Sequence, residues 1–308
     1  MSKVTVVGAG NVGATCAEVV TRKNFAQEVI LVDIKEGIAE GKALDMLQVG
    51  PIEGFESRIK GVTNDYASTA NSDVVVVTSG APRKPGMNRE DLININAPIV
   101  ASVVKSALEY SPNAVFVIVA NPLDTMTYHA LKATGLPSER VVGMAGILDT
   151  ARFRASLAQE IGVSPQDIHS IILGEHGDSM VVLPRYTTVG GIPVTEIYSS
   201  ERVLEIAEAS KKGGGFITKM LGTSAWYAPG AAAAQMAEAI VLNTQRVFPA
   251  SAYLTGQYGQ NDIYLGTPVV LGKGGVQRII ELQLTETEKA QLAKSAEQVR
   301  SVNALLPK

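Results

Sequence analysis

Lys3-Val-Thr-Val-Val-Gly-Ala-Gly-Asn-Val-Gly13 joins a short apolar run to a glycine-rich turn, and a helical pattern follows directly. Gly8 permits the tight turn, Gly10 lets the backbone approach a bound group, and Gly13 lets helix and strand pack closely. The helix N-terminus adds free N–H groups and a positive dipole end, which suit a phosphate. This stretch therefore predicts a strand–turn–helix unit that opens an α/β fold and binds a dinucleotide.

An acidic residue stands where such a unit requires one. Asp33 ends the next apolar run, twenty residues after Gly13, and a carboxylate at that spacing fits the ribose hydroxyls of NAD. It would repel the 2′-phosphate of NADP, so NAD is the predicted cofactor; an ordinary polar strand end is the alternative. The residues that we assign to the cofactor are Gly8, Ala9, Gly10, Asn11, Val12, Gly13, Asp33, Asn96, Val119 and Asn121.

Short apolar runs alternate with helix-length segments through the first half of the chain, which predicts a parallel sheet covered on both faces. The predicted strands are Val4–Gly8, Val29–Asp33, Ile59–Val62, Val74–Ser79, Val115–Ala120 and Val141–Met144. The predicted helices between them include Val12–Lys23, Ile38–Gln48 and Asn96–Tyr110. We expect an α/β protein with a doubly wound Rossmann domain over residues 1–145 and a mixed α+β domain over residues 146–308.

The pattern of the second half is more varied. We predict a helix at Thr150–Ile161 and then the run Ile168–Val194, with a turn at Gly190-Gly191. Two helical patterns follow, roughly Glu201–Leu221 and Ser224–Asn243, and Gly213-Gly214-Gly215 interrupts the first. Short strand-like pieces fill Val247–Leu271, and a last helix begins at the capping-box pattern Thr285-Glu-Thr-Glu288. The alanine-rich segment Ala231–Ala239 fits either a contact between subunits or a core helix.

Composition excludes several classes of protein. The chain has 308 residues, 46% of them hydrophobic, and a net charge of −3, so it has ample core but no basic surface for nucleic acid. Its single cysteine, Cys16, excludes a disulfide framework and a cysteine zinc site. We find no signal-peptide pattern and no apolar run of about 18 residues that would span a bilayer. We therefore expect a cytoplasmic protein without membrane or nucleic-acid partners.

Two arginines lie six residues apart in the loop Gly80-Ala-Pro-Arg-Lys-Pro-Gly-Met-Asn-Arg89. The loop follows a predicted buried strand, and open α/β sheets bind ligands at the carboxyl ends of their strands. Guanidinium groups match carboxylates or phosphates with paired hydrogen bonds. Arg83 and Arg89 therefore indicate an anionic ligand, with a solvated surface loop as the alternative.

One histidine stands out from the other two. His176 lies between glycines in Gly174-Glu-His-Gly-Asp178, and glycines bring backbone close to a ligand. Histidine moves protons near neutral pH and needs a carboxylate to orient it. Asp149, at or near a predicted helix N-cap, is our candidate, with simple capping as the alternative. His129 and His169 are read as structural.

Two further polar residues suit a ligand that carries a carboxylate. Arg152 lies three residues after Asp149, about one helical turn along the same face, and a surface ion pair is its alternative. Asn121 ends a predicted strand and can donate or accept a hydrogen bond. Its alternative is a turn residue before proline.

Together these residues resemble the lactate/malate dehydrogenase family over nearly the full chain. The matching pieces are Gly8–Gly13 with Asp33, Gly80–Arg89, Asn121-Pro122, Leu148–Arg154 and Gly174–Asp178. The resemblance implies a Rossmann domain, a mixed α/β substrate domain and NAD-dependent oxidation of a 2-hydroxy acid. It implies that His176 is the proton donor and acceptor and that Asp149 is its partner. It further implies that Arg152 binds the substrate's C1 carboxylate, that Arg89 polarises the reacting C–O bond from a closing loop, and that Asn121 orients the substrate.

Arg83 decides between the substrates of this family. The resemblance implies glutamine at this position in lactate enzymes and arginine in malate enzymes. Malate has a second carboxylate where lactate has a methyl group, and closure over the methyl would leave the Arg83 cation buried and unpaired. That costs about 3–5 kcal/mol, or roughly two to three decades of discrimination. We therefore expect reversible oxidation of (S)-malate to oxaloacetate, with L-lactate or another 2-hydroxy acid as the alternative.

A second position agrees with this expectation. Small Ala225 stands where lactate enzymes place a crowding threonine, which leaves room for a carboxylate. The chain resembles lactate dehydrogenases more than the usual dimeric malate dehydrogenases, which implies the lactate-dehydrogenase-like subgroup and a homotetramer, with a dimer as the alternative. No metal is expected in the reaction. A non-catalytic NAD-binding module is the remaining alternative, and it leaves His176, Asp149 and the arginines unexplained.

Overall fold

The computed structural model describes residues 2–82, 87 and 89–307, without the side chain of Arg89. Six strands of the first half form the parallel part of one sheet. They are β1 (Lys3–Val7), β2 (Glu28–Asp33), β3 (Arg58–Thr63), β4 (Val74–Val77), β5 (Val115–Ile118) and β6 (Val141–Gly143). Their order is β3-β2-β1-β4-β5-β6, and each neighbouring pair is parallel. The winding reverses between β1 and β4, which leaves a crevice at their carboxyl ends.

Helices connect these strands on both faces of the sheet, as predicted. They are α1 (Asn11–Arg22), α2 (Ile38–Glu53), α3 (Arg89–Tyr110) and α4 (Leu123–Thr134). Two boundaries differ from the prediction by more than one residue. The helix expected from Asn96 begins at Arg89, because two acidic side chains in its first turn favour a helix N-terminus there. The helix expected to end at Gln48 continues through Pro51 to Glu53.

The sheet is buried on both faces, and β4 shows the alternation most clearly. Val74 and Val76 belong to the hydrophobic core on one face, whereas Val75 and Val77 belong to the core on the other face. All four side chains are fully buried. A continuous valine run is therefore the expected sequence of a central strand in a sheet covered by helices.

The second half supplies five more helices and eight more strands among the described residues. The helices are α5 (Gly146–Ile161), α6 (Ser200–Lys211), α7 (Gly213–Leu221), α8 (Tyr227–Val241) and α9 (Glu286–Asn303). The strands are β7 (Ile168–His169), β8 (Ile172–Leu173), β9 (Val181–Val182), β10 (Thr188–Val189), β11 (Ile192–Pro193), β12 (Arg246–Thr255), β13 (Asn261–Gly272) and β14 (Gly275–Ile279). The capping box is confirmed, because Thr285 and Glu288 each accept a hydrogen bond from the other's backbone N–H.

The prediction of short strand-like pieces in Val247–Leu271 was wrong. That region forms the long antiparallel pair β12 and β13, which extends the main sheet to nine strands in the order β14-β13-β12-β6-β5-β4-β1-β2-β3. Prolines argue against long strands in sequence, but Pro249 and Pro268 stand opposite each other here. The two prolines therefore remove backbone N–H groups at a single position of the β12–β13 pairing. β12 joins β6 where Ser251 faces Gly143.

The alanine-rich helix α8 packs against α1 in the described chain. Gly230 approaches so closely that a β-carbon there would lie 2.7 Å from the side chain of Thr15. Ala233, Ala234 and Ala237 are fully buried, so the core-helix alternative describes most of this segment. Of the helices described, none combines the length and apolarity needed to cross a membrane.

Candidate active site

A cleft of about 820 Å³ opens at the carboxyl ends of β1, β4 and β5, where the winding reverses. The first half contributes the glycine turn and the ends of these strands. The second half contributes the loop that contains His176, the start of α7 and the residues just before α8. The predicted residues that line this cleft are Gly10, Asn11, Val12, Gly13, Asn96, Val119, Asn121, Arg152, His176 and Ala225.

The glycine turn has the shape that a dinucleotide needs. A β-carbon at Gly13 would lie 1.8 Å from the carbonyl oxygen of Gly8, and Gly8 itself has φ of +106°. A β-carbon at Gly10 would meet nothing within 4 Å, so that side of the turn is open. No side chain of the described residues caps α1, which leaves its first N–H groups to a ligand. The residues present therefore fit a bound pyrophosphate.

Asp33 lies beside this turn, as predicted, and is already bonded to it. Its Oδ2 accepts the backbone N–H of Ala9 at 2.7 Å, and its Oδ1 accepts that of Lys35 at 2.9 Å. The ammonium group of Lys42 donates to the Ala9 carbonyl oxygen at 2.7 Å. The backbone of Ala9 is thus held at its N–H by a carboxylate and at its carbonyl oxygen by an ammonium group. Asp33, Gly8 and Ala9 form this support next to the cleft without lining it.

Asn96 ties the beginning of the loop after β4 to the end of β5. Its Oδ1 accepts the Ala81 N–H at 2.7 Å, and its Nδ2 donates to the carbonyl oxygens of Ala81 at 3.3 Å and Asn121 at 2.7 Å. These contacts engage both amide N–H groups, and the side chain is almost fully buried. The Asn121 side chain is left on the cleft, where the sequence predicted a ligand contact.

The side chain of His176, in the loop after β8, contacts the side chain of Asp149 on α5. The ring Nδ1 of His176 lies 2.6 Å from Asp149 Oδ2, and this contact leaves Nε2 for the cleft. Asp149 was expected at or near the N-cap of its helix. The helix instead begins at Gly146 with Ala145 as N-cap, so Asp149 lies within the first turn. The cause is an apolar first turn that the sequence pattern did not mark as a start.

The protonation of His176 is set by opposing effects. Burial is the largest and disfavours the charged ring, but the attraction and hydrogen bond of Asp149, with help from Asp124, raise the pKa of His176 above its ordinary value. Arg152 acts in the opposite direction. The pair can therefore take up a proton from a ligand and hold it as an imidazolium.

Arg152 lies one turn along α5 from Asp149 and faces the cleft, as predicted. Its Nη1 is 3.4 Å from Asp149 Oδ1. The start of α7 packs over the guanidinium, because a β-carbon at Gly214 would lie only 3.4 Å from Arg152 Nη2. The sequence showed the Gly213-Gly214-Gly215 run but not its purpose. In the structure, the small residue lets a helix close onto the arginine.

The structure does not describe the side chains of the two arginines in the predicted anion-binding loop. Arg83 lies outside the described residues, and Arg89 is described only as the first residue of α3. Met87, which lies between them in sequence, lines the cleft. Their roles remain predictions.

Sequence reasoning missed several residues that shape the site. The Thr78 hydroxyl donates to the carbonyl oxygens of Val7 and Gly8 at 3.1 Å and 3.0 Å, which fixes the glycine turn to the end of β4. Asp124 accepts the backbone N–H of His176 at 2.8 Å. The available signal was its position at the start of α4, three residues after Asn121.

A hydride can leave a hydroxyl carbon only if another group takes the hydroxyl proton, and one cleft here carries a dinucleotide turn and a histidine–carboxylate pair. The fold and the cleft are those of an NAD-dependent dehydrogenase. Comparison identifies the family: residues 2–143 match the NAD binding domain of lactate/malate dehydrogenase, and residues 147–304 match its alpha/beta C-terminal domain. The chain belongs to the lactate/malate dehydrogenase family. NAD as cofactor and the α/β fold class are thereby confirmed.

Full-length relatives support the assignment. The malate dehydrogenase of Cytophaga hutchinsonii is 58% identical over 304 residues, which cover 99% of this chain and 97% of the relative. The solved malate dehydrogenase of Salinibacter ruber is 52% identical, with a TM-score of 0.94 over 98% of this chain and 97% of that one. The lactate dehydrogenase of Cryptosporidium parvum, solved with lactic acid and the cofactor, is 38% identical, with the same TM-score over 99% and 97%.

Asp33 and Lys42 clamp the backbone of Ala9 through two hydrogen bonds, and this clamp predicts a defect in cofactor binding. Lys42→Met removes the donor to the Ala9 carbonyl oxygen and loosens the glycine turn. We expect NADH affinity to fall by roughly fivefold, about 1 kcal/mol, the net value of one hydrogen bond. NADH fluorescence titration measures it. Lys35→Met is the matched control, because Lys35 contributes only its backbone N–H to Asp33; equal affinities in the two variants would contradict the clamp.

Proposed function

We propose that this protein is an NAD-dependent malate dehydrogenase that reversibly oxidises (S)-malate to oxaloacetate. The observation that carries the proposal is the 2.6 Å contact between His176 and Asp149, on a cleft that also holds Arg152 and the dinucleotide turn. NAD, when bound, supplies the acceptor for the substrate hydride. The full-length relatives that carry the name malate dehydrogenase support the choice of substrate.

His176 acts on the hydroxyl proton. When neutral, its free Nε2 accepts the proton of the malate hydroxyl group, and the charge that develops on the ring is stabilised by Asp149. In the reverse direction, protonated His176 donates to the carbonyl oxygen of oxaloacetate. Asp149 is suited to this task because its side chain is nearly inaccessible to water, where its charge is poorly screened.

The remaining polar residues bind and orient the substrate. Arg152 pairs with the C1 carboxylate through its planar guanidinium, and Asn121 hydrogen-bonds to the substrate from the end of β5. Arg89 polarises the reacting C–O bond. Arg83 pairs with the second carboxylate, so the two ends of the dicarboxylate are bound by different arginines.

Two features favour malate over lactate, the alternative substrate. The first is Arg83, whose charge matches a carboxylate and would be left unpaired against a methyl group. The second is Ala225, a small side chain on the cleft. The non-catalytic module is disfavoured by the His176–Asp149 contact, because binding a dinucleotide does not require a histidine–carboxylate pair.

We also propose that the protein assembles as a homotetramer, or else as a dimer, in the cytoplasm. Exposed apolar side chains on α2 support an assembly, since Leu44, Leu47 and Ile52 are 58%, 44% and 82% exposed. The buried free thiol of Cys16 suits a reducing compartment.

Assembly gives a direct prediction. Light scattering coupled to size-exclusion chromatography is expected to yield a mass near four chains. The reason is that contact between subunits removes the face of α2 that carries Leu44, Leu47 and Ile52 from water. Leu47→Glu places a charge on that face and should lower the mass. A wild-type mass of one chain at every concentration would contradict assembly.

Substrate choice tests the proposed function. NADH consumption should be faster with oxaloacetate than with pyruvate by roughly two to three decades in kcat/KM. Arg83→Gln should lower the oxaloacetate value and raise pyruvate relative to it, because the unpaired charge is gone. Lys84→Gln is the control for charge loss in the same loop. No NADH consumption with either acid would favour the binding module, and an unchanged ratio in Arg83→Gln would remove that residue from substrate selection.

The raised pKa of His176 predicts opposite pH dependences for the two directions. Malate oxidation needs the neutral ring, so its kcat/KM should rise with pH through a midpoint above about 6.5, the ordinary histidine value. Oxaloacetate reduction needs the protonated ring and should fall through the same midpoint. Asp149→Asn removes the charge that raises the pKa, so both midpoints should move to lower pH. A midpoint that stays in place would show that another group titrates.

A further inference from the structure

A second carboxylate reaches the histidine from its main-chain side. Asp124 lies in the first turn of α4 and is only 4% exposed. Its Oδ2 accepts the backbone N–H of His176 at 2.8 Å, and its Oδ1 accepts the hydroxyl of Ser251 at 2.6 Å. Each oxygen therefore has its own donor, from two different parts of the chain.

Burying such a group is unfavourable, so its position calls for a physical account. A carboxylate loses hydration when it is enclosed, and it stays charged only if hydrogen bonds replace the water. Burial raises the pKa of Asp124 to about 6, against the hydrogen bonds of Ser251 and His176, which lower it. The group is thus mostly ionised at neutral pH, beside a ring that must accept a positive charge.

The two carboxylates constrain different parts of the same residue. Asp149, from α5, contacts the ring of His176, whereas Asp124, from α4, contacts its backbone. Gly174, two residues before His176, pairs with Gly266 of β13 through two backbone hydrogen bonds of 2.9 Å. Gly174 therefore approaches a strand, whereas the sequence had predicted that it approaches a ligand. The loop is anchored on one side by β13 and on the other by Asp124.

Ser251 is built into the sheet at the one place where β12 pairs with β6. It is fully buried and faces Gly143. A β-carbon at Gly143 would lie 2.8 Å from the Ser251 β-carbon and 2.7 Å from the Thr127 hydroxyl oxygen. Only a residue without a side chain lets Ser251 reach α4, so the sheet itself determines where the Asp124 carboxylate is held.

We propose that Asp124 is a positioning residue for proton transfer, which fixes the backbone of His176 and stabilises the imidazolium from behind, and that Ser251 keeps its carboxylate in place. The inference rests on the proposed role of His176 in the reaction. The charged groups that face His176 are Asp149, Asp124 and Arg152, and Glu175 faces Asp124. Among the described residues, Asp149 and Asp124 are thus the negative charges with the largest effect in favour of the protonated ring.

Charge and geometry can be separated experimentally. In Asp124→Asn the amide oxygen can still accept the His176 N–H, and the Ser251 hydroxyl can accept from the amide nitrogen. The geometry survives while the charge is lost. A residue that merely held the loop would tolerate this change, whereas a residue that stabilises the imidazolium would not.

The test titrates His176 in the free protein by NMR of labelled histidine, where His129 and His169 serve as internal references. Asp124→Asn should lower the pKa of His176 and leave the other two unchanged. Its kcat should fall by roughly tenfold to a hundredfold, part of the ~10²–10⁴ that a positioned acid–base group supplies. NADH affinity should stay at the wild-type value, since Asp124 does not line the cleft.

Ser251→Ala provides an independent variant that keeps the carboxylate. Loss of the hydroxyl raises the pKa of Asp124, so the kcat defect should be large at low pH and disappear as pH rises and Asp124 ionises. Ser170→Ala is the matched control, because its buried hydroxyl contacts only Thr187 among the described residues, at 2.8 Å. It should leave the histidine titration and kcat unchanged.

Two results would overturn the proposal: a wild-type His176 titration in Asp124→Asn, or a Ser251→Ala defect that does not change with pH. If Asp124→Asn fails to fold, as judged by lost NADH binding, Ser251→Ala alone decides. The titration requires no turnover, so it remains valid if the wild-type protein prefers pyruvate to oxaloacetate. Failure of the proposed substrate and failure of the positioning role are therefore distinguishable.

Discussion

A contact between two glycines fixes the geometry on which the cleft depends. The carbonyl oxygen of Gly8 occupies the place where Gly13 would otherwise carry a β-carbon, at 1.8 Å, so α1 can start directly against the end of β1. The Thr78 hydroxyl then closes the notch between β1 and β4. Because α8 packs against α1 through Gly230 and Thr15, the same contact also places the residues that precede α8 on the cleft. The dinucleotide turn and the second half of the chain are thus located by one close approach.

The charges around the cleft follow a consistent physical plan. Carboxylates hold parts of the site in place: Asp33 accepts a backbone N–H of the turn, and Asp149 and Asp124 contact His176 and favour its charged form. Each accepts at least one hydrogen bond, which is the condition for keeping a charge in a poorly hydrated place. Arg152 provides the opposing charge on the same cleft. Burial strengthens all of these interactions, so small displacements would alter the protonation of His176 strongly.

Local sequence patterns predicted the parts of this structure that depend on neighbours in the chain. The glycine turn and the capping box at Thr285 are of this kind, since each pattern spans few residues and has a direct steric or electrostatic cause. Asp33 was predicted from the regular spacing within the same strand–helix–strand unit. Asp124 was missed because its partners lie 52 residues away at His176 and 127 residues away at Ser251. The long pair β12 and β13 was missed because the facing of two prolines is a property of register. The pattern of a single sequence specifies neither the register in which two strands pair nor hydrogen-bond partners so far apart in the chain.

The fold alone does not determine which substrate is bound, so the choice depends on a few side chains. A lactate dehydrogenase and a malate dehydrogenase superpose on this chain with the same TM-score of 0.94, so the backbone does not distinguish a methyl group from a carboxylate. A cation in a closed site does, because it gains a partner with one substrate and loses its hydration without compensation with the other. In the proposed function the penalty falls on the wrong substrate, while Arg152 and His176 serve both substrates alike. On that proposal, substrate choice can change at one loop position without altering the proton-transfer pair.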